Sequence, residues 1–255
     1  SDLSDRTMEA MAERAVAMAR EAPEDPHAGL ADAGQIAQGW DLAALELCDE
    51  SAAPGATALE ALARAAETAA MGHAGIVQVE AGAGHSRRAA HLAASNGFQG
   101  GYGRSSFSVS AVAFTGSGTG MERDWAGEGR VFAADMPAPE GIGHLAAERA
   151  LSRAGARKPP TGAYAVLYDE RVAQSLIGHL LSAVNGAAVA RGSSWLRDGL
   201  GRQVMPTGLS VIDDPLRPRA ASSRPFDAEG LPTHRRAVVQ DGVLTGWTLD
   251  LASAR

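Results

Sequence analysis

Ser106-Phe107-Ser108-Val109-Ser110-Ala111 is a run in which serine alternates with apolar residues. Successive side chains of a strand point to opposite faces of a sheet. One face therefore carries Phe107, Val109 and Ala111, and the other carries three serines. The pattern predicts a strand in an antiparallel sheet that has one buried face. The serine face could line a cleft, although a solvated sheet surface has the same pattern.

The same period of two residues recurs on the N-terminal side of this run. Ile76 to Glu80 and Arg87 to Ala94 alternate in the same way. We therefore predict antiparallel strands between Gly75 and Asp124.

Helical spacing of apolar residues predicts the elements around these strands. An amphipathic helix is expected from Ser4 to Arg20, followed by an irregular connector with one short helix. Thr57 and Glu60 form a capping-box pattern, which predicts the start of a helix that reaches Ala70. A further helix is predicted from Gly143 to Ala154.

A stiff connector, Lys158-Pro159-Pro160-Thr161-Gly162, predicts the boundary between two lobes, residues 1–157 and residues 158–255. The second lobe is expected to begin with a short strand from Tyr164 to Tyr168. A helix from Glu170 to Ala188 follows, with Asp169 placed to cap it.

Two short strands are predicted from Ala237 to Gln240 and from Val243 to Trp247. Asp241-Gly242 joins them and favours a type I′ turn, in which both central residues have positive φ. Another strand is expected from Leu209 to Ile212. The predicted fold class is α+β: N-terminal helices with an antiparallel sheet, then a lobe with a helix packed on a mainly antiparallel sheet.

The chain has 255 residues, 45% hydrophobic and 21% charged, and a net charge of −7. Nucleic-acid-binding surfaces are basic, so a nucleic-acid partner is not expected. The single cysteine, Cys48, excludes an intramolecular disulfide, and no apolar run is long enough to span a membrane. We expect a cytoplasmic protein without a membrane partner.

No complete catalytic constellation can be assembled from the sequence. The glycines between Gly116 and Gly120 lack the Gly-Lys-Ser/Thr of a phosphate loop, and Cys48 has no patterned histidine partner. Accordingly, we assign no catalytic and no cofactor-binding residue.

Three residues come closest to a metal site. His144 and Glu148 are four residues apart on a predicted helix and so lie on the same side, but no third ligand is evident. His179 lies at the border of an apolar helical stripe, where a packing histidine is the simpler interpretation. We therefore assign no metal ligand.

A set of short strings resembles the TldE/PmbA branch of the TldD/PmbA peptidase family, in family order from about Ala94 to the end. The strings are ASNGF at 94–98, GGY at 100–102, GMERD at 120–124, KPPTG at 158–162, AAVARGSS at 187–194, IDDP at 212–215, RPFD at 224–227, EGLPT at 229–233 and LDLASAR at 249–255. Family members are longer at both ends, and this chain lacks an initiator methionine and stops after a predicted strand from Val243 to Leu251. We therefore expect a fragment, with the first lobe truncated and the second incomplete.

The resemblance implies a heteromeric bacterial peptidase. Its TldD-type subunit carries His-Glu-x-x-x-His on a helix and binds zinc, and the glutamate polarises a metal-bound water. Aligning Gly192-Ser193-Ser194 and Asp213-Asp214 with the family puts Ile177, Gly178 and Ser182 at the metal-site positions. None of these three can hold zinc in a stable site.

Our hypothesis is therefore a non-metallated TldE/PmbA-like subunit of a zinc metallopeptidase that degrades or processes unstructured peptides. No cofactor is expected in this chain, since zinc would belong to the TldD-type partner; in isolation the chain could form a homodimer. Two alternatives remain. One is a regulatory protein-binding module of the gyrase-modulator type, and the other is an independent hydrolase with an unrecognised site.

Overall fold

Two three-stranded antiparallel sheets organise residues 4–254, the part of the chain that the computed structural model describes. The first contains β1 (Ile76–Ala93), β2 (Gln99–Thr115) and β3 (Glu122–Arg130), in that order. The second contains β4 (Val211–Asp213), β5 (Arg236–Gln240) and β6 (Val243–Leu244), in that order.

Seven α-helices are present in residues 4–254. They are α1 (Asp5–Glu21), α2 (Leu42–Leu45), α3 (Ala56–Met71), α4 (Pro139–Ser152), α5 (Glu170–Ala183), α6 (Gly186–Ala190) and α7 (Leu251–Ala254), with 3₁₀ turns at Gly118–Gly120 and Ala133–Asp135. The predicted α+β class is confirmed. Between residues 4 and 254, no helix is long and apolar enough to cross a membrane. The division at residues 157 and 158 stays a prediction.

The alternating run of serines and apolar residues lies in β2, as predicted. Phe107, Val109 and Ala111 are buried, whereas the intervening serines are exposed. The buried face packs on α3 and α4, where alanines such as Ala66 and Ala146 are fully buried. The serine face is therefore the outer side of this sheet.

The two strands predicted on its N-terminal side are a single strand, β1. Between them lies Ala81-Gly82-Ala83-Gly84, in which the expected alternation disappears. Gly82 and Gly84 lie opposite Ser110 and Ser108 of β2 on the exposed face. Because glycine has a weak preference for strands, the sequence pattern breaks where the backbone continues.

The turn from β1 to β2 coincides with the string ASNGF. The Ala94 N–H donates to the Phe98 carbonyl at 3.0 Å, and Gly97 adopts a φ of 93°. Phe98 packs edge-on against Phe226, with ring centroids 5.0 Å apart, and a Cβ on Gly230 would press on the Phe98 ring. The strings ASNGF, RPFD and EGLPT therefore meet in one aromatic cluster.

Several helix boundaries differ from the prediction. The N-cap of α3 is Gly55, not Thr57, and Glu60 pairs with Arg64 at 2.7 Å instead of closing a capping box. The helix predicted from Gly143 begins earlier, at Pro139, because proline is well suited to the first turn of a helix.

The long helix predicted in the second lobe is interrupted. It ends at Ala183, and α6 begins anew because the side chain of Asn185 accepts a hydrogen bond from the Ala188 N–H at 3.2 Å. An N-cap asparagine of this kind starts a helix and does not continue one. Asp169 caps α5 as predicted, since its carboxylate accepts from the Arg171 N–H at 3.0 Å.

The strand predicted from Tyr164 to Tyr168 is wrong. This segment has no regular secondary structure, and the Leu167 side chain is 97% exposed. Its apolar residues resemble a strand, but no neighbouring strand within residues 4–254 pairs with them.

The hairpin in the second sheet is confirmed, but its strands are short. Asp241 and Gly242 both have positive φ, 47° and 81°, as a type I′ turn requires. The second strand ends at Leu244, and the chain from Val243 to Leu251 finishes in α7, where Asp250 accepts from the Ser253 N–H at 2.8 Å. The strand predicted from Leu209 begins at Val211.

The helix α1 forms as predicted, but none of its residues is buried. Met8, Met11 and Met18 are between 49% and 67% exposed. Within residues 4–254, nothing covers the apolar face of this helix.

An ion-pair cluster joins the first sheet to α5. Asp124 of β3 is buried, and its carboxylate accepts from Arg153 at 2.7 Å and from Arg171 at 2.8 Å. Arg171 lies in the first turn of α5, and Arg153 follows α4. This Asp124 cluster therefore fixes the N-terminus of α5 relative to β3.

The two arginines keep Asp124 ionised. Burial alone would raise the pKa of this carboxyl, but hydrogen bonds from Arg171 and Arg153 and from the Trp125 N–H outweigh burial and hold the pKa well below its usual range. The same contact raises the pKa of Arg171.

We expect Gly143→Ala to destabilise the protein, because a Cβ at this position would overlap the Ala66 carbonyl oxygen of α3. Overpacking of this kind costs about 1–3 kcal/mol. Gly141→Ala on the same helix is the control, since a Cβ there meets nothing within 4 Å, and it should stabilise the helix by about 0.5–1 kcal/mol. Urea unfolding followed by circular dichroism measures both. Equal stability of the two variants would contradict the close contact of α3 and α4.

We also expect Asp124→Asn to lower the free energy of unfolding by about 1.5–3 kcal/mol, as for hydrogen bonds to charged groups. The control is Asp198→Asn, which breaks an exposed pair with Arg197 and should cost less than about 1 kcal/mol.

The pH dependence should distinguish Asp124 further. Its pKa is lowered in the folded state, so its contribution is complete above the unfolded-state pKa of about 4 and is lost as the pH falls towards the folded-state value. The stability difference between wild type and Asp124→Asn should therefore shrink as the pH is lowered below about 4. A difference that is constant between pH 7 and pH 3 would refute this account.

Candidate functional site

The helix α5 contains the three positions at which the family resemblance places metal-site residues. Leu180 and Ala183 at its C-terminal end are buried and pack with Val184, Val238 and Leu244. Its N-terminal half is not covered, because Val172 and Leu176 are 50% and 48% exposed. The predicted apolar face is therefore buried only in its C-terminal half.

Ile177, Gly178 and Ser182 lie in this helix with different degrees of exposure. Ile177 is half-buried, whereas Gly178 and Ser182 are exposed. A Cβ on Gly178 would meet nothing within 4 Å, so the position has room for a larger side chain. Isoleucine and glycine offer no side-chain donor to a metal, and a neutral serine hydroxyl is a weak one, so these residues do not fit a zinc ion.

His179 is also exposed, and it makes no hydrogen bond within residues 4–254. Among the same residues, no group of three or more histidine, cysteine or acidic side chains is arranged to hold a metal ion.

His144 has a partner that the sequence did not indicate. Its Nδ1 lies 2.9 Å from Nε2 of His73, which follows α3, and the two rings meet edge-on. Glu148 is exposed on the same helix as His144. The two histidines are 71 residues apart in sequence, so only the packing of α3 on α4 brings them together.

The other sequence candidates have structural explanations. Burial raises the pKa of the Cys48 thiol, with a further contribution from Glu50, so the reactive thiolate is disfavoured. The glycine stretch forms a tight turn between β2 and β3, in which a Cβ on Gly116 would overlap the Gly120 carbonyl. No helix follows that turn, so it lacks the geometry of a phosphate loop.

The first turn of α5 is electrostatically anchored. The pKa of Asp169 is lowered because it accepts hydrogen bonds from the Arg171 backbone N–H and from the Arg171 side chain. Arg171 thus holds both the cap of α5 and the buried Asp124. The position of α5 is fixed at this end by charge and at the other end by apolar packing.

A cleft of about 400 Å³ opens beside the C-terminal end of α5. Its walls come from α5, β4 and the loop that follows β4. The lining side chains include Leu181, Asp213, Asp214, Arg217, Arg224 and Val238. Sequence reasoning noted Asp213-Asp214 and Arg224 only as parts of family strings and gave them no role.

The chain matches two family models. Residues 49–154 match the PmbA/TldA metallopeptidase central domain, and residues 161–255 match the PmbA/TldA metallopeptidase C-terminal domain.

Curated relatives match over most of the chain. It is 35% identical to the metalloprotease PmbA of Escherichia coli O157:H7, over 100% of this chain and 56% of that protein. It is 29% identical to a metalloprotease PmbA homologue of Haemophilus influenzae, over 96% of this chain and 54% of that protein. The chain thus spans about half the length of these relatives.

Solved structures share the fold. A Bacteroides thetaiotaomicron protein described as a modulator of DNA gyrase superposes with a TM-score of 0.90 at 26% identity, covering 99% of this chain and 58% of that one. TldE of Thermococcus kodakarensis superposes with a TM-score of 0.73 at 19% identity, covering 100% of this chain and 57% of that one. The latter comparison concerns the fold alone.

Two family models that together match most of the chain, and a relative 35% identical along all of it, agree with the short strings quoted above. This chain therefore belongs to the PmbA/TldD metallopeptidase family, on its PmbA/TldE branch.

Proposed function

We propose that this chain is the non-metallated subunit of a two-subunit zinc metallopeptidase that acts on unstructured peptides. In this proposal a TldD-type partner binds the zinc, and the present chain supports that subunit and shapes the space in which the peptide lies. The proposal includes a cytoplasmic location and, without the partner, a homodimer.

The observation that carries the proposal is the side-chain set on α5. A catalytic zinc needs three protein ligands and an open position for water. At the positions where the family resemblance puts metal-site residues, this chain has Ile177, Gly178 and Ser182. These residues do not fit zinc, so no hydrolytic step is assigned to this chain.

The rest of α5 supports a structural role for this helix. The Asp124 cluster fixes its first turn, and the packing of Leu180 fixes its last. The exposed half between these ends, with Val172 and Leu176, is available to a partner. In the proposed complex, bound zinc would lower the pKa of a water and so supply the nucleophile from the partner subunit.

A regulatory protein-binding role is a second candidate, and one observation favours it. A similar solved structure, from Bacteroides thetaiotaomicron, is described as a modulator of DNA gyrase. The net charge of −7 argues against direct contact with DNA but allows binding to a protein.

We expect this chain to co-purify with a TldD-type subunit from the same genome when the two are co-expressed. Zinc should be retained by the complex and not by this chain alone, and cleavage of an unstructured peptide should require both subunits. Metal analysis and a peptide-cleavage assay measure these outcomes. Stoichiometric zinc together with peptidase activity in this chain alone would overturn the proposal.

Two substitutions separate this proposal from an independent hydrolase. His144→Ala and His179→Ala should leave cleavage by the complex unchanged, because neither side chain has a role in the proposed site. Loss of cleavage in either variant, with the complex still assembled, would favour a catalytic site in this chain. Capture of gyrase, with no TldD-type subunit bound, would instead favour the regulatory role.

A further inference from the structure

The cleft beside α5 has an apolar floor and a charged rim. Leu181, Val211 and Val238 supply aliphatic side chains, and Val238 is almost completely buried. The cleft has a volume of about 400 Å³, which is sufficient for one or two amino-acid side chains.

Only some of the charged side chains on the rim form ion pairs. Asp213 lies 3.5 Å from Arg236, and Asp214 lies 3.5 Å from Arg235, so each carboxylate has a cationic partner. Arg235 directly precedes β5, and Arg236 is the first residue of that strand.

The two arginines that line the cleft, Arg217 and Arg224, have no oppositely charged partner among the described residues, unlike the aspartates. Arg217 makes no hydrogen bond or ion pair within residues 4–254. The guanidinium of Arg224 donates only to the Ser222 carbonyl, at 3.2 Å, and has no carboxylate partner in the described part of the chain. The cleft therefore presents two guanidinium groups whose charge no carboxylate of residues 4–254 neutralises. A guanidinium binds a carboxylate through two parallel hydrogen bonds, so an anionic group is the complementary ligand.

The cleft also runs along β4. Four consecutive residues, 211–214, line it, although alternate side chains of a strand point to opposite faces. The cleft must therefore reach the edge of β4, which has only β5 as a strand neighbour in the second sheet. A free strand edge can pair with the main chain of an extended peptide.

We propose that this cleft binds the C-terminal end of a peptide. Arg217 and Arg224 hold the terminal carboxylate, the last side chain lies on the apolar floor, and the preceding main chain runs along β4. The proposal takes its ligand class, a peptide, from the proposed function, but it does not require a TldD-type partner.

Fluorescence anisotropy with an N-terminally labelled pentapeptide ending in leucine tests this directly on the chain alone. The peptide with a free carboxylate should bind at least about ten-fold more tightly than the same peptide with a C-terminal amide, as expected for hydrogen bonds to charged groups. This preference should disappear in Arg217→Gln/Arg224→Gln.

Arg14→Gln/Arg20→Gln is the matched control, because it also removes two positive charges, from exposed residues of α1 that do not line the cleft. It should keep the preference, and circular dichroism should show all variants folded.

Equal binding of the acid and the amide would overturn the proposal, and so would a preference that survives the double substitution. The proposal would also be overturned if acetate or inorganic phosphate displaced the labelled peptide as effectively as unlabelled peptide does. The cleft would then bind an anion without recognising the rest of the peptide. An amide-capped peptide with an internal aspartate that binds as tightly as the acid would refute recognition of the terminus. None of these results bears on co-purification with a TldD-type subunit, so the two proposals fail independently.

Discussion

Asp124 is a buried carboxylate held by two guanidinium groups from different parts of the chain. Moving an ion pair out of water is costly, and apolar replacements of such pairs are often equally stable. The Asp124 cluster matters here because it fixes relative positions: it joins β3, the end of α4 and the first turn of α5 at one point. The position of the exposed N-terminal half of α5 depends on where that turn is held.

The first sheet achieves its packing by a different means. α3 and α4 are rich in alanine where they meet each other and the sheet, and Gly143 lies directly against the Ala66 carbonyl. Small residues allow helices to approach closely, so the core is formed by short contacts between backbones and methyl groups. Larger side chains are concentrated elsewhere, in the aromatic cluster around Phe98 and Phe226. There the family string ASNGF meets RPFD and EGLPT, which lie more than 120 residues later in the chain, in a single contact region.

The features predicted correctly from the sequence are local. The alternation around Val109 and the turn at Asp241-Gly242 each depend on neighbouring residues, and both are present in the structure. The strand predicted from Tyr164 failed because a strand requires a pairing partner that its own residues do not encode. The Asp124 cluster and the contact of His73 with His144 gave no signal, since their members are far apart in the chain. The metal-site positions on α5 came only from the family resemblance, because isoleucine, glycine and serine have no chemical pattern of their own.

The pairing of β1 with β2 has a consequence for the order of folding. The two strands are joined by a short turn, and their register runs outward from Ala93 opposite Gln99, so each new contact closes only a slightly larger loop. In contrast, a connection of more than twenty residues separates β4 from β5, and the bridge between Asn185 and Thr248 closes a longer loop. Because synthesis proceeds from the N-terminus, we expect the first sheet to be complete while the second is still emerging from the ribosome. The first sheet, with α3, α4 and Asp124 already in place, would then provide a folded surface on which α5 docks as it is synthesised.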